Sequence, residues 1–298
     1  MPPISRRQFL KGSLAASALA LAGGCATRPA SAEAEGWALL SDIHIAADAS
    51  LIHSGVNMTH NLQTVSAEAL AWPEPVSGAL INGDLAYNNG ESADYAAVLQ
   101  LLRPLRERGV PIHLALGNHD NRERFWDVLP KEKTEDARLP HRQSAIVRTR
   151  HANWFVLDSL IQTRTTPGLL GGAQRDWLAR ALDRNAGKPA LVAVHHNPRA
   201  NNPADNGLED TEDLLKILRP RPHVKAWFFG HTHRWEVSQD RSGLWMINFP
   251  PVAYLFQAGR PNGWVHATLQ PAGARLELRC LDRTRPDHGQ IVNLPWRV

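Results

Sequence analysis

An α/β fold is what this 298-residue sequence predicts: two mixed sheets face to face with helices outside, a four-layer α-β-β-α sandwich. Three observations carry that expectation. Five short apolar runs, each bounded by turn residues, have the pattern of strands covered on both faces. Amphipathic stretches alternate with the early runs, and the late part of the chain is mainly short strands. Two sheets packed together with helices on their outer faces bury all of these apolar surfaces.

The first strand is expected over residues 37–45, followed by a loop through His53 and Asn57. A helix near 59–71 is ended by Trp72-Pro73, because the residue before proline leaves the helical region. A strand at 78–82 precedes a helix over 92–108, with Ser92 as its N-cap, Gly109 as its stop and Pro104 bending its last turn. A strand at 111–116 meets the turn Gly117-Asn118-His119-Asp120, and a weak helix follows over 121–129. The charged, proline-flanked stretch 131–142 reads as a loop, and 144–150 with 153–158 as an antiparallel hairpin. In the helix 174–185, Trp177, Leu178, Ala181 and Leu182 form one stripe. A strand at 190–195, a Pro/Asn/Gly-rich loop at 197–207, a helix at 210–218 and a strand at 224–229 come next. Short strands near 234–239, 244–248, 264–269 and 275–281 complete the chain.

The apolar fraction of 43% and charged fraction of 21% are those of a globular domain and exclude disorder for most of the length. The net charge of +4 comes from the N-terminus. Arg6, Arg7, Lys11 and Arg28 lie in the first 32 residues, which hold no Asp or Glu; removing those four from 33 Lys and Arg leaves 29, equal to the 29 Asp and Glu. The neutral body excludes a nucleic-acid surface built on bulk charge, so no nucleic-acid partner is expected. Ser5-Arg6-Arg7-Gln8-Phe9-Leu10-Lys11 resembles the twin-arginine export signal. The apolar stretch 12–24 after it is shorter than the about 20 residues a spanning helix needs. Residues 1–32 are therefore expected to be a signal that engages the twin-arginine translocon transiently, and 33–298 a single domain in the periplasm. Cleavage after Ala32 competes with lipidation of Cys25 in Leu21-Ala22-Gly23-Gly24-Cys25, which would anchor the protein to the membrane. Either way Cys280 is left alone, so no internal disulfide forms.

The five strand-like runs end in WALLSDIH, GALINGD, IHLALGNHD, ALVAVHH and KAWFFGHTH. Ligands of α/β sheets gather outside the carboxyl ends of strands. Those ends carry Asp42, His44, Asp84, Asn118, His195, His231 and His233, an oxygen and nitrogen set suited to two hard or borderline cations. The spacing Asp42-x-His44 is expected to aim both side chains to one side of an extended chain. His113, His141, His223, His266 and His288 stand outside these ends and read as structural.

The ordered set Asp42-Ile43-His44, Gly83-Asp84, Gly117-Asn118-His119-Asp120, His195 and Gly230-His231-Thr232-His233 resembles the calcineurin-like metallophosphoesterase superfamily over about residues 37–256. That resemblance implies one metal held by Asp42, His44, Asp84 and His233, and a second by Asp84, Asn118, His195 and His231, with Asp84 shared. It implies hydrolysis of a phosphoester by water activated between two ions, which Asp/Asn/His sites take as iron, manganese or zinc. It implies His119 as the catalytic residue that protonates the leaving group or stabilises the transition state, and Asp120 as the partner that fixes the His119 ring. Tyr87 in Gly83-Asp84-Leu85-Ala86-Tyr87 also fits the pattern of purple acid phosphatases, but His44 fills the corresponding role and leaves Tyr87 redundant as a ligand.

The run Asn118-His119-Asp120-Asn121-Arg122, then Leu157-Asp158-Ser159 and Trp177-Leu178, resembles the class III cyclic nucleotide phosphodiesterases and their glycerophosphodiesterase relatives. A small phosphodiester is thus the expected substrate, with a phosphomonoester the alternative on the same site and a non-catalytic metal-bearing envelope module the alternative of another class. His196, Arg122, His53 and Asn57 are candidate substrate contacts, with His60 and the 201–206 loop beside them.

Overall fold

Hydrogen bonding sorts the strands into two six-stranded sheets in a computed structural model that describes residues 34–134, 139–199 and 205–298. The signal-like segment, with Arg6, Arg7 and Cys25, lies outside the described residues, as do parts of the 131–142 and 197–207 loops.

The first sheet has the order β14-β13-β12-β1-β4-β5 and the second β10-β11-β9-β8-β7-β6. Their strands are β1 (Glu35–Leu40), β4 (Gly78–Asn82), β5 (Ile112–Ala115), β6 (Ala145–Arg148), β7 (Asn153–Leu157), β8 (Ala190–Val194), β9 (Val224–Phe229), β10 (Glu236–Gln239), β11 (Trp245–Asn248), β12 (Gly263–Gln270), β13 (Gly273–Cys280) and β14 (Ile291–Pro295). A two-stranded ribbon, β2 (Ile52–His53) with β3 (Val56–Asn57), stands apart from both sheets. β1, β4 and β5 run parallel, as do β7, β8, β9 and β11; antiparallel strands adjoin the first set beyond β1 and flank the second on both sides. Parallel strands must be covered on both faces, and here they are. Trp37, Leu39, Leu80, Trp154, Leu191 and Phe228 fill the space between the sheets. The outer face of the first sheet packs on α1 (Met58–Leu70), α2 (Ser92–Leu101), α3 (Arg103–Glu107) and α4 (Arg122–Val128). The outer face of the second packs on α5 (Gly171–Arg184) and α6 (Thr211–Leu218), with Trp177, Leu178, Ala181 and Leu182 buried as one stripe. This is the four-layer sandwich that the residue pattern predicts.

Four local expectations change. The single helix over 92–108 is two helices broken at Leu102, because Pro104 is tolerated only in a first helical turn and so begins a new one. Glu91, not Ser92, holds the N-cap position of α2. The first strand stops at Leu40 rather than 45, and beyond it Asp42 and His44 leave the extended region. β14 has no counterpart in the expectation: it is a half-exposed edge strand whose apolar alternation is weak.

Candidate metal centre at the strand ends

The carboxyl ends of β1, β4, β5, β8 and β9 open on one edge shared by the two sheets. Beyond the strands the loops stay paired. Asp42 N–H donates to the Gly83 carbonyl at 3.1 Å, His44 N–H to Asp84 at 3.0 Å, and Gly230 N–H to His195 at 2.9 Å. The Asn82 amide crosses between sheets to the Val194 carbonyl at 3.2 Å.

In this framework Asp42, His44, Asp84, His231 and His233 all have positive φ, between 45° and 69°. Asp42-x-His44 is therefore not an extended chain, and the two side chains converge by a different route. Left-handed backbone at each residue turns it toward the edge, and Asp and His are among the few non-glycine types that enter that region readily. Such conformations persist where surrounding structure over-determines them. Glycines make the space. A β-carbon on Gly117 would strike the Asp84 carboxylate and the His195 ring; one on Gly83, itself at φ +88°, would strike the same ring.

The side chains meet closely. Asp84 Oδ2 lies 3.6 Å from His44 Nε2 and 3.3 Å from His195 Nε2, and Asp42 Oδ1 lies 3.4 Å from His233 Nε2. Three groups each bring their ligand atoms within 4.8 Å of one another: Asp42, His44 and His233; His44, Asp84 and His119; Asp84, His195 and His231. Four imidazoles present Nδ1 to a backbone carbonyl: His44 to Tyr87 at 3.1 Å, His119 to Asn88 at 3.0 Å, His195 to Asn82 at 2.8 Å, and His233 to Tyr254 at 2.6 Å. A carbonyl only accepts, so each Nδ1 carries a proton, and in the neutral form of each ring Nε2 is the atom with the free lone pair.

That arrangement lacks a partner of positive charge. His44 Nε2 and His233 Nε2 face each other at 3.2 Å with no proton assigned to either by those contacts. Asn118 Oδ1 and His195 Nε2 are buried without hydrogen-bond partners. Buried polar atoms are ordinarily satisfied, and convergent lone pairs beside two carboxylates fit a pair of cations. Protonation states agree. Burial would raise Asp42 and Asp84, but the surrounding imidazoles outweigh it and hold both carboxyls well below their ordinary value. Burial drives His44 and His231 down to about 4. His195 is the exception: burial opposes its charge, yet the Asp84 carboxylate lifts it to about 10, so a cation would displace that proton.

The other candidate site residues divide. His119 lies at the mouth, its N–H donating to Asp84 Oδ1 at 2.9 Å. Asp120 does not touch the His119 ring. Its buried carboxylate accepts from Leu85, Ala86 and Gly117 N–H groups and from the Tyr95 hydroxyl, so it pins the Asp84 loop to the Gly117 turn. Burial, with the Asp84 charge beside it, raises that carboxyl to about 6. His196 is fully buried, held by the Ser159 hydroxyl at 2.7 Å, and is out of a substrate's reach. Arg122 makes a bidentate pair with buried Asp158 (2.7 and 2.9 Å) and donates to the Leu160 carbonyl, which commits its Nε and Nη2 to the fold. Asn57 caps α1, accepting from His60 N–H at 2.7 Å while its amide donates to Ala49. His53 bonds the Tyr87 hydroxyl at 3.0 Å and lies against Tyr254, one ring removed from His44 and His233. Sequence reasoning missed three residues. A cavity of about 310 Å³ is lined by Asp84, Asn118, His119 and His231, and also by Arg164, Thr166 and Phe256; Asn206 reaches it from the 197–207 loop. The only signal for Arg164 is structural: φ of 68° in a non-glycine residue, whose N–H donates to the Asn118 carbonyl at 2.6 Å.

Residues 38–235 match the calcineurin-like phosphoesterases, and residues 3–23 match the twin-arginine translocation signal sequence. The 3′,5′-cyclic adenosine monophosphate phosphodiesterase CpdA of Pseudomonas aeruginosa is 29% identical over 226 residues, 74% of this chain and 77% of that protein. A 3′,5′-cyclic-nucleotide phosphodiesterase of Nostoc is 26% identical over 225 residues, 74% of this chain and 79% of that one. In fold, the chain is similar to a dimetal phosphatase from Danio rerio, with a TM-score of 0.70 and 14% identity, over 88% of this chain and 99% of that structure.

Proposed function

This chain belongs to the calcineurin-like phosphoesterase family, and on that premise we propose that it hydrolyses small phosphodiesters of the cyclic nucleotide or glycerophosphodiester type. The observation that carries a hydrolytic centre is the convergence of Nε2 atoms from the carbonyl-tied imidazoles of His44, His195 and His233 on two ionised carboxylates. The preference for diesters is supported by the relatives, whose names specify cyclic nucleotide phosphodiesterases.

Asp42, His44, Asp84 and His233 would hold one ion, and Asp84, Asn118, His195 and His231 the other. Asp84 suits the shared position because one of its oxygens lies near imidazoles of both groups. Two ions, when bound, supply a water of lowered pKa and positive charge opposite the phosphoryl oxygens. The chain supplies the rest. Carbonyl ties on Nδ1 fix ring orientation, and the buried carboxylates keep ligand geometry without water. His119 is tied at Nδ1 to Asn88, so Nε2 is the atom that would take up a proton, forming the imidazolium, and pass it to the leaving oxygen. Arg164 at the cavity wall offers a guanidinium to a non-bridging oxygen.

Residues 33–298 are read as one catalytic domain, exported to the periplasm and released by cleavage after Ala32; lipidation of Cys25 would instead leave it on the membrane. Mass measurement of the mature N-terminus separates the two. No helix among the described residues is long and apolar enough to cross a membrane. The decisive assay compares bis-p-nitrophenyl phosphate with p-nitrophenyl phosphate on protein loaded separately with iron, manganese or zinc. A kcat/KM at least tenfold higher for the diester is expected. A preference for the monoester would make the enzyme a phosphomonoesterase.

A further inference from the structure

The cavity beside the ligand cluster has walls of unlike chemistry. Asn118, His119 and Arg164 make one side polar. Opposite in character is Phe256, a benzyl side chain 66% exposed. The large apolar side chains exposed among the described residues are Ile52, Leu99, Ile161, Phe256, Ile291 and Val298; Phe256 alone is aromatic, and alone among them lines this cavity. Its position is built. One face lies flat on the His233 ring, with centroids 3.9 Å apart and planes 12° from parallel, and Tyr254 stands at 5.9 Å. His233 is itself fixed by the Tyr254 carbonyl. The second face is left to solvent, at the edge of the centre where the phosphoryl group would sit.

An exposed aromatic ring held flat and rigid loses little conformational freedom when a planar group covers it. Stacking on such a ring is tolerant of base identity, because every base has a π-face. A volume near 310 Å³ is at the small end of ligand sites, about the scale of one nucleotide rather than a polymer. From these observations we infer that Phe256 is the platform on which the ring of a nucleotide-type or aryl diester stacks, which makes ring-bearing diesters the preferred class over glycerophosphodiesters. This rests on the phosphodiesterase reading given above.

The test uses the metal-loaded protein and the variants Phe256→Ala and Phe256→Trp. Substrates are 3′,5′-cyclic AMP, with a ring, and glycerophosphoethanolamine, without one. Loss of one stacking face is expected to raise KM for cyclic AMP about tenfold. It should change kcat less than twofold and leave the ring-free diester unaffected; Phe256→Trp should restore KM. A second measurement avoids turnover: calorimetric binding of the carbon-bridged phosphonate analogue of AMP against methylphosphonate. Wild-type protein should favour the adenosine compound about tenfold, and Phe256→Ala should abolish that preference. Equal effects of Phe256→Ala on ring-bearing and ring-free compounds, or no effect on either, overturn the inference. Ring preference in binding without diester hydrolysis would instead overturn the phosphodiesterase reading and leave the platform standing.

Discussion

Two buried histidines, one on each of the two sheets, show what burial does and does not decide. His266 on β12 is 5% exposed, stacked on Trp72 at 4.2 Å, and neither ring nitrogen has a hydrogen-bond partner. His195 at the end of β8 is fully buried, with Nδ1 tied to a carbonyl and Nε2 beside the Asp84 carboxylate. Burial drives His266 down to about 4, with Arg275 and Arg279 adding to it against Glu277. The carboxylate reverses burial at His195 and lifts it to about 10. Depth alone therefore does not mark a ligand. A tied tautomer and an adjacent anion do.

The comparison breaks most sharply at the site. His119→Ala is expected to lower kcat on a diester roughly 10²- to 10⁴-fold while metal content, read by inductively coupled plasma analysis, stays unchanged. Loss of both metals in that variant would make His119 a ligand instead. Arg122→Ala should act on stability alone: it strands buried Asp158, at a cost of about 3–5 kcal/mol in denaturant unfolding, with KM of the surviving folded protein unaltered. A raised KM with intact stability would return Arg122 to the substrate.

His266 sharpens the structural side. Its folded pKa of about 4 lies below the ordinary 6.5, so the unfolded chain binds the extra proton between those values. Stability is whole above pH 6.5 and declines as pH falls toward 4, by up to about 3 kcal/mol from this group. His266→Phe should flatten that decline in urea titrations across the same window and leave activity per folded molecule unchanged; an unchanged slope would deny His266 its part. Asn57→Ala should be mildest, about 1 kcal/mol from the lost cap of α1, with no change in KM.

Much of the fold was legible because its information is local. Apolar runs such as Gly78–Asn82 and Val224–Phe229 announce strands buried on both faces, and their terminal Asp, Asn and His side chains announce where ligands gather. What the sequence hid is set by tertiary geometry. Asp120 follows His119 directly, yet the turn aims its carboxylate back at three N–H groups. Arg122 looks like a free cation until Asp158, on a different sheet strand's end, claims it. Phe256 and Arg164 sit in loops without periodicity, and only the folded chain brings them to the cavity.

The left-handed torsions at Asp42, His44, Asp84, His231 and His233 restrict how this centre can be re-engineered. Donor chemistry would allow cysteine for a softer ion or threonine for a neutral oxygen, but branched or bulky replacements meet a steric penalty at those angles before any ion binds. Asparagine for aspartate is the exchange both constraints permit. Tuning the cation by single replacements is therefore easiest at Asn118 and His195, the two ligand candidates whose φ is not positive.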